Sequence, residues 1–157
     1  MCIVIDINTF SMVFDEKNAN HFNFKPIKDW LERRQGIIVL GGTKYLQELK
    51  HNRSHRRIII QLRNAGLAVR IDDNAVDQRE ALVKQLCTES HCNDHHLIAL
   101  LAISGSSILS SLDAEAYPYI KNKQLYPKGS QRVRIYSSSR NKRLLQPCSI
   151  DEVKNAV

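Results

Sequence analysis

No apolar run in this sequence is long enough to cross a bilayer. The longest, such as Ile58 to Ile60 and Leu97 to Ile103, fall well short of the roughly twenty residues a spanning helix needs. Nor does a signal-peptide pattern open the chain, because Met1 leads directly into a strand-like segment; the expected location is the cytoplasm, with no membrane partner. The four cysteines, Cys2, Cys87, Cys92 and Cys148, form no regular framework. That argues against a secreted disulfide scaffold and for thiols in a reducing compartment. Repeats, long low-complexity segments and interdomain linkers are also missing. The chain therefore reads as one domain, 1–157, with a core over 1–136 and a basic loop and short C-terminal helix over 137–157.

The 157 residues are 43% hydrophobic and 25% charged, the balance of a globular domain with its own core. Acidic residues are the minority charge, 16 against 23 Lys and Arg, which gives a net charge of +7. A basic excess favours a polyanionic partner, because neutralising phosphates releases counterions. An acidic protein or an anionic membrane surface would satisfy the same excess.

Hydrophobic patterning alternates strands with helices. Cys2 to Ile5 reads as a buried strand that turns polar at Asp6-Ile7-Asn8, placing Asp6 and Asn8 on one face. Pro26 opens a short helix carrying Ile27, Trp30 and Leu31, which Gly36 stops. Ile37 to Leu40 is a second strand, Gly41-Gly42 a tight turn, and Thr43 the N-cap of a helix with Tyr45, Leu46 and Leu49. A basic helix from about Ser54 to Asn64 ends at Gly66 before the strand Leu67 to Ile71. Helices over Ala75 to Leu86 and from near Asn93 follow, then strands at Ile108 to Leu112 and Arg132 to Tyr136 on either side of an irregular stretch with Pro118, Pro127 and Gly129. Ser149 and Glu152 have capping-box spacing for a last short helix. This rhythm predicts an α/β fold, a three-layer α/β/α sandwich with a mostly parallel sheet of about five strands and its chemistry at the strands' carboxyl ends.

Carboxylates sit where that fold places chemistry. Asp6 closes the first strand and Asp113 the fourth, while Asp94 begins the helix before the fourth strand and Glu48 lies on the helix after the second. Clustered carboxylates repel unless a cation joins them, and hard oxygen ligands select Mg²⁺ or Mn²⁺. Each also has an ordinary explanation: Asp94 as an anion at a helix N-terminus, Glu48 as a solvated helix residue, Asp113 as a turn cap. Asp6 is harder to explain away, since an ionised group at the end of a buried strand needs a partner.

The order of these motifs resembles the PIN-domain family of metal-dependent ribonucleases, in its toxin-like single-domain form. The resemblance rests on Ile3-Val4-Ile5-Asp6-Ile7-Asn8, on Ile37 to Leu49 with Glu48, on Asn93-Asp94 opening the Ala/Leu-rich segment to Ala102, and on Ile108 to Tyr117 with Ser111 and Asp113. It runs from about Met1 to Tyr136. It implies a PIN-like fold and Mg²⁺- or Mn²⁺-dependent endoribonuclease activity on single-stranded RNA. It also implies metal binding and catalysis by Asp6, Glu48, Asp94 and Asp113, support from Asn8 and Ser111, and an antitoxin or other protein partner. A homodimer is a further partner reading. The sequence departs from the family at Gly41-Gly42, where a hydroxyl residue is common, at His95-His96, and in a longer segment from Tyr117 to Gln131.

Lys44, the basic helix with Arg53, Arg56 and Arg57, and the cluster Arg140, Lys142 and Arg143 are candidate RNA contacts, equally readable as solvated surface. A rival metal site, zinc held by Cys87, His91, Cys92, His95 and His96, has suitable ligand types but the spacing of no standard finger. Gly41-Gly42-Thr43-Lys44 lacks the glycine pattern of a P-loop, which excludes nucleotide hydrolysis on that motif. The rival from another class is a catalytically inactive PIN-like module that binds RNA or protein without cutting.

Overall fold

Strands at Ile3–Ile5 (β1), Ile38–Leu40 (β2), Ala68–Arg70 (β3), Ile108–Ser110 (β4) and Arg134–Tyr136 (β5) form one sheet in a computed structural model that describes residues 2–148. All pairings are parallel, and the order is β3-β2-β1-β4-β5. Every residue of β1, β2 and β4 is buried. Successive strand residues point to opposite faces, so both faces of the sheet centre are covered, which is why these strands read as unbroken apolar runs instead of alternating ones.

The covering layers are helices at Ile7–Phe14 (α1), His21–Glu32 (α2), Thr43–His51 (α3), Arg53–Asn64 (α4), Asp73–Leu86 (α5), His95–Ser104 (α6) and Tyr117–Ile120 (α7). α1 packs on α2 and α4, while α5 packs on α6, giving the three-layer α/β/α sandwich that the βαβ rhythm predicts. α6 is apolar almost all round because it is sandwiched, with Leu97, Ile98, Ala99, Leu100 and Leu101 all buried. Among the described residues no helix is long and apolar enough to cross a membrane.

The strand order reverses between β1 and β4. In open parallel sheets the crevice at such a reversal, beyond the carboxyl ends of the two strands, is where ligands bind.

Several sequence expectations are corrected. Asp6-Ile7-Asn8 does not continue β1: Asp6 is the N-cap of α1 and its carboxylate accepts from Asn8 N, 3.3 Å away. Asn8 is therefore an exposed first-turn residue and shares no strand face with Asp6. The helix wins because Phe10 and Val13 reach the core at its spacing. α2 starts at His21, so Pro26 lies inside it; the buried stripe Phe24, Ile27, Trp30 and Leu31 outweighs the hydrogen bond that proline forgoes. The polar run after β5 forms a 3₁₀ helix, Ser139–Leu144, anchored where Asn141 Oδ1 accepts from the backbone N–H of Ser137 and Ser138. The helix predicted from Ser149 and Glu152 lies outside the described residues.

The cysteines, expected as thiols, pair as disulfides, Cys2 with Cys148 and Cys87 with Cys92. Their Cα atoms lie 5.5 and 6.4 Å apart, within bridging reach. The first pair, 146 positions apart, ties the segment after the 3₁₀ helix to β1. Trp30 Nε1 donates to the Gln146 carbonyl and Cys148 N to the Gln35 carbonyl, which fixes the same segment on α2 and the turn that follows it.

Candidate active site

At the switch point the ends of β1 and β4 are joined by side chains. Asp6 N donates to the Ser110 carbonyl at 2.9 Å, extending the ladder by one bond, and the Ser111 hydroxyl donates to Asp6 Oδ2. Ser111 Oγ in turn accepts from Asp113 N at 3.1 Å. The Thr9 hydroxyl, one turn into α1, lies 3.0 Å from the Asp6 carbonyl and 2.9 Å from the Ser110 hydroxyl. Two tyrosines cap the strand ends: Tyr45 on α3 donates to the Ile5 carbonyl at 2.7 Å, and Tyr117 on α7 donates to the Ser111 carbonyl at 2.8 Å. A backbone carbonyl leaving a buried sheet needs such a donor.

The predicted acids share this end of the sheet. Burial raises the Asp94 carboxyl to about 6, and the charges of Asp6, Asp113 and Glu48 push in the same direction against the opposing pull of Lys44. Asp6 is also raised, first by burial and then by Asp113, against hydrogen bonds from Ser111 and Asn8 that hold it down. Glu48 is raised by burial, with Asp6 and Glu80 adding to it and Lys44 opposing. Asp94 is the N-cap of α6, an anion at the positive end of the helix dipole as the ordinary explanation has it, but its side chain makes no capping hydrogen bond.

Oxygen donors of this kind suit Mg²⁺ or Mn²⁺, and raised carboxyls that repel one another are what a divalent cation would relieve. The set fits such an ion in donor class and in charge. It is not drawn together around one point, since among the described residues no three His, Cys, Asp or Glu groups lie close enough to hold an ion jointly.

Lys44 is the predicted basic residue that reaches this site, its Nζ 3.4 Å from the Asn93 carbonyl. Arg53, Arg56 and Arg57 stand exposed on α4, and Arg140 and Arg143 on the 3₁₀ helix. Among the described residues none of these five arginines contacts any of the four acids.

The histidine pair divides. His96, buried on α6, puts Nε2 3.3 Å from Glu48 Oε2. Burial holds its imidazole down at about 3, aided by Lys44, so at neutral pH the ring is uncharged and the contact is not an ion pair. His95 Nε2 instead lies 3.1 Å from the Cys87 carbonyl. With Cys87 bonded to Cys92, and His95 and His96 turned to different partners, the residues of the zinc reading do not form a site.

The glycine pair is explained by packing. Gly42 has φ +82°, and a Cβ there would meet Val76 Cγ1 at 2.6 Å, so a hydroxyl residue does not fit. The donors at the start of α3 are already taken: Gly42 N by Asp73 Oδ1 and both Thr43 N and its hydroxyl by Asp77. No phosphate cradle is open there.

Sequence reasoning missed Thr9, Tyr45 and His96 as site residues, having placed Tyr45 only as a position of its helix and His96 only as a departure from the family and a ligand of the rival zinc site. No local motif marks them, because their partners lie 101, 40 and 48 positions away. Searches of protein-family models, of curated proteins and of solved structures each returned no match.

Proposed function

We propose that this chain is a divalent-metal-dependent endoribonuclease of PIN type that hydrolyses phosphodiester bonds in single-stranded RNA. The observation that carries the reading is the electrostatic meeting of Asp6, Glu48, Asp94 and Asp113 at the topological switch point, where Asp94 is raised to about 6. Mg²⁺ or Mn²⁺ bound by these carboxylates would polarise a phosphoryl oxygen and lower the pKa of a bound water. The chain's own contribution is to hold the ligands. Ser111 fixes Asp6, His96 faces Glu48, and Lys44 offers the cation that a phosphate near Asp94 needs. A neutralising protein partner of the antitoxin kind fits the same reading.

The second reading, a module that binds RNA or protein without cutting, is favoured by one observation: the acids are not close enough for three of them to hold an ion. Incubating purified protein with mixed single-stranded RNAs and Mn²⁺ or Mg²⁺, with EDTA as control, tests the proposal. Cleavage that EDTA abolishes and that Asp6→Asn lacks is the expected result. Binding without cleavage in every metal selects the second reading.

A further inference from the structure

Residues 121–133, most of them in the segment Tyr117 to Gln131 that is longer than the motif pattern requires, line a cleft of about 400 Å³. Four cationic side chains, Lys121, Lys123, Lys128 and Arg132, line it, all on exposed residues, and its lining contains no carboxylate. Among the described residues none of the four forms a salt bridge to an acidic group. Like charges gathered around one cavity repel, and a multiply charged anion relieves them at once. The remaining wall includes Tyr126 and Pro127. The Tyr126 hydroxyl donates to the Ile120 carbonyl at 2.7 Å, which fixes the ring in place.

Phosphate-binding cations beside a fixed aromatic ring are the two elements by which proteins hold single-stranded nucleic acid, the cations following the backbone and the ring stacking a base. One residue of the cleft is linked by contacts to the candidate active site. Lys121 Nζ lies over the Tyr117 ring, 5.4 Å from its centroid, and the Tyr117 hydroxyl holds the Ser111 carbonyl beside Asp6 and Asp113. From Tyr117 to Lys121 is one helical turn, a rise of about 6 Å, comparable to a nucleotide step.

We propose that this cleft is a second nucleic-acid site, in which Lys121, Lys123, Lys128 and Arg132 bind the phosphates of a single RNA strand and Tyr126 stacks one of its bases, leading the strand to the carboxylates. The substrate class rests on the ribonuclease reading, but the binding does not require cleavage. It differs in place from the arginines of α4 and of the 3₁₀ helix.

The test is fluorescence anisotropy with a labelled single-stranded oligouridylate in EDTA, titrated with salt, on the wild-type chain and two variants. Replacing Lys121, Lys123, Lys128 and Arg132 with Gln should weaken binding about tenfold or more and flatten the log–log salt slope by up to about three. Tyr126→Leu should weaken binding about fivefold or more with the slope unchanged, as loss of one stacked base requires. The four cations are exposed, so the Gln variant should keep the wild-type melting temperature and remains informative if Tyr126→Leu does not fold. Wild-type affinity and slope in the Gln variant would overturn the proposal. Uridine monophosphate competing as tightly as the strand would also overturn it, as would loss of binding only to phosphatidylserine vesicles. Because EDTA removes metal, failed cleavage assays with an altered salt slope would count against the nuclease reading alone.

Discussion

Ser111 Oγ donates to Asp6 Oδ2 across 2.8 Å, joining two residues 105 positions apart at the point where the sheet reverses its strand order. The bond orients the carboxylate and favours its charged form against burial and the Asp113 charge, both of which disfavour it. If Asp6 binds the metal as proposed, an outer partner of this kind commonly contributes about 10–100-fold to metal affinity or activity. Ser111→Ala should therefore lower Mn²⁺-dependent cleavage by about that factor. Asp6→Asn should abolish cleavage with the fold intact or more stable, because one repelling charge is gone. Steady-state cleavage and thermal melts on both variants provide the check, and wild-type activity in Asp6→Asn would end the assignment.

Asp94 sets a pH dependence of stability. Its folded pKa of about 6 exceeds the ordinary carboxylate value near 3.8, so across that window the folded state binds more protons than the unfolded one. Stability of the metal-free protein should then fall as pH rises from about 4 to 6 and stay reduced above it. Asp94→Asn should remove this contribution and raise stability at pH 7 on the order of 1 kcal/mol, once solvent screening of a part-exposed group is allowed for. Millimolar Mn²⁺ should raise the wild-type melting temperature at pH 7 and do so much less in Asp94→Asn. Denaturant titrations at several pH values measure the first effect, and a wild-type profile with no decline toward pH 6 would contradict it.

His96 faces Glu48 with an uncharged ring. His96→Ala should weaken Mn²⁺ binding about 10–100-fold and cost about 2 kcal/mol in packing. His96→Gln, which keeps a donor, should recover metal affinity more than stability. Calorimetric Mn²⁺ titration beside denaturant unfolding separates the two, and equal affinity in all three proteins would leave His96 as a core residue only.

The Cys2–Cys148 bridge closes nearly the whole chain into a loop. Such closure restricts the unfolded state and stabilises a fold by about 2–4 kcal/mol. Without reductant the wild type should exceed Cys148→Ser by that amount, and dithiothreitol, which opens Cys87–Cys92 in both proteins, should bring the two together. Midpoints insensitive to reductant would show that the pair contributes nothing.

The strands were legible because Ile3 to Ile5, Ile38 to Leu40 and Ile108 to Ser110 are buried on both faces, and a doubly buried parallel strand leaves an unbroken apolar run. α3, α4, α5 and α6 were legible from apolar spacing, although the cap expected at Thr43 falls to Gly42, and Asp72, read as a strand end, caps α5. α1 was not, because Asp6 followed by Asn8 suits a strand end as well as a cap, and only the burial of Phe10 and Val13 decides between them. The four acids were visible as residues, Asp6 and Asp94 at element ends and Glu48 within its helix, while Asp113, expected to close the fourth strand, lies beyond the end of β4 at Ser110. That they could share one cleft followed from a parallel sheet, but the partners that orient them did not, because those depend on β4 crossing to pair with β1 rather than with β3. By itself, then, the sequence determined which segments are buried and which residues carry charge, since both follow from local composition and period. The tertiary structure decided the partners: Ser111 on Asp6, Tyr117 on Ser111, Cys148 on Cys2, and four cations around one cleft. Those are contacts in space between positions that local chain pattern cannot relate.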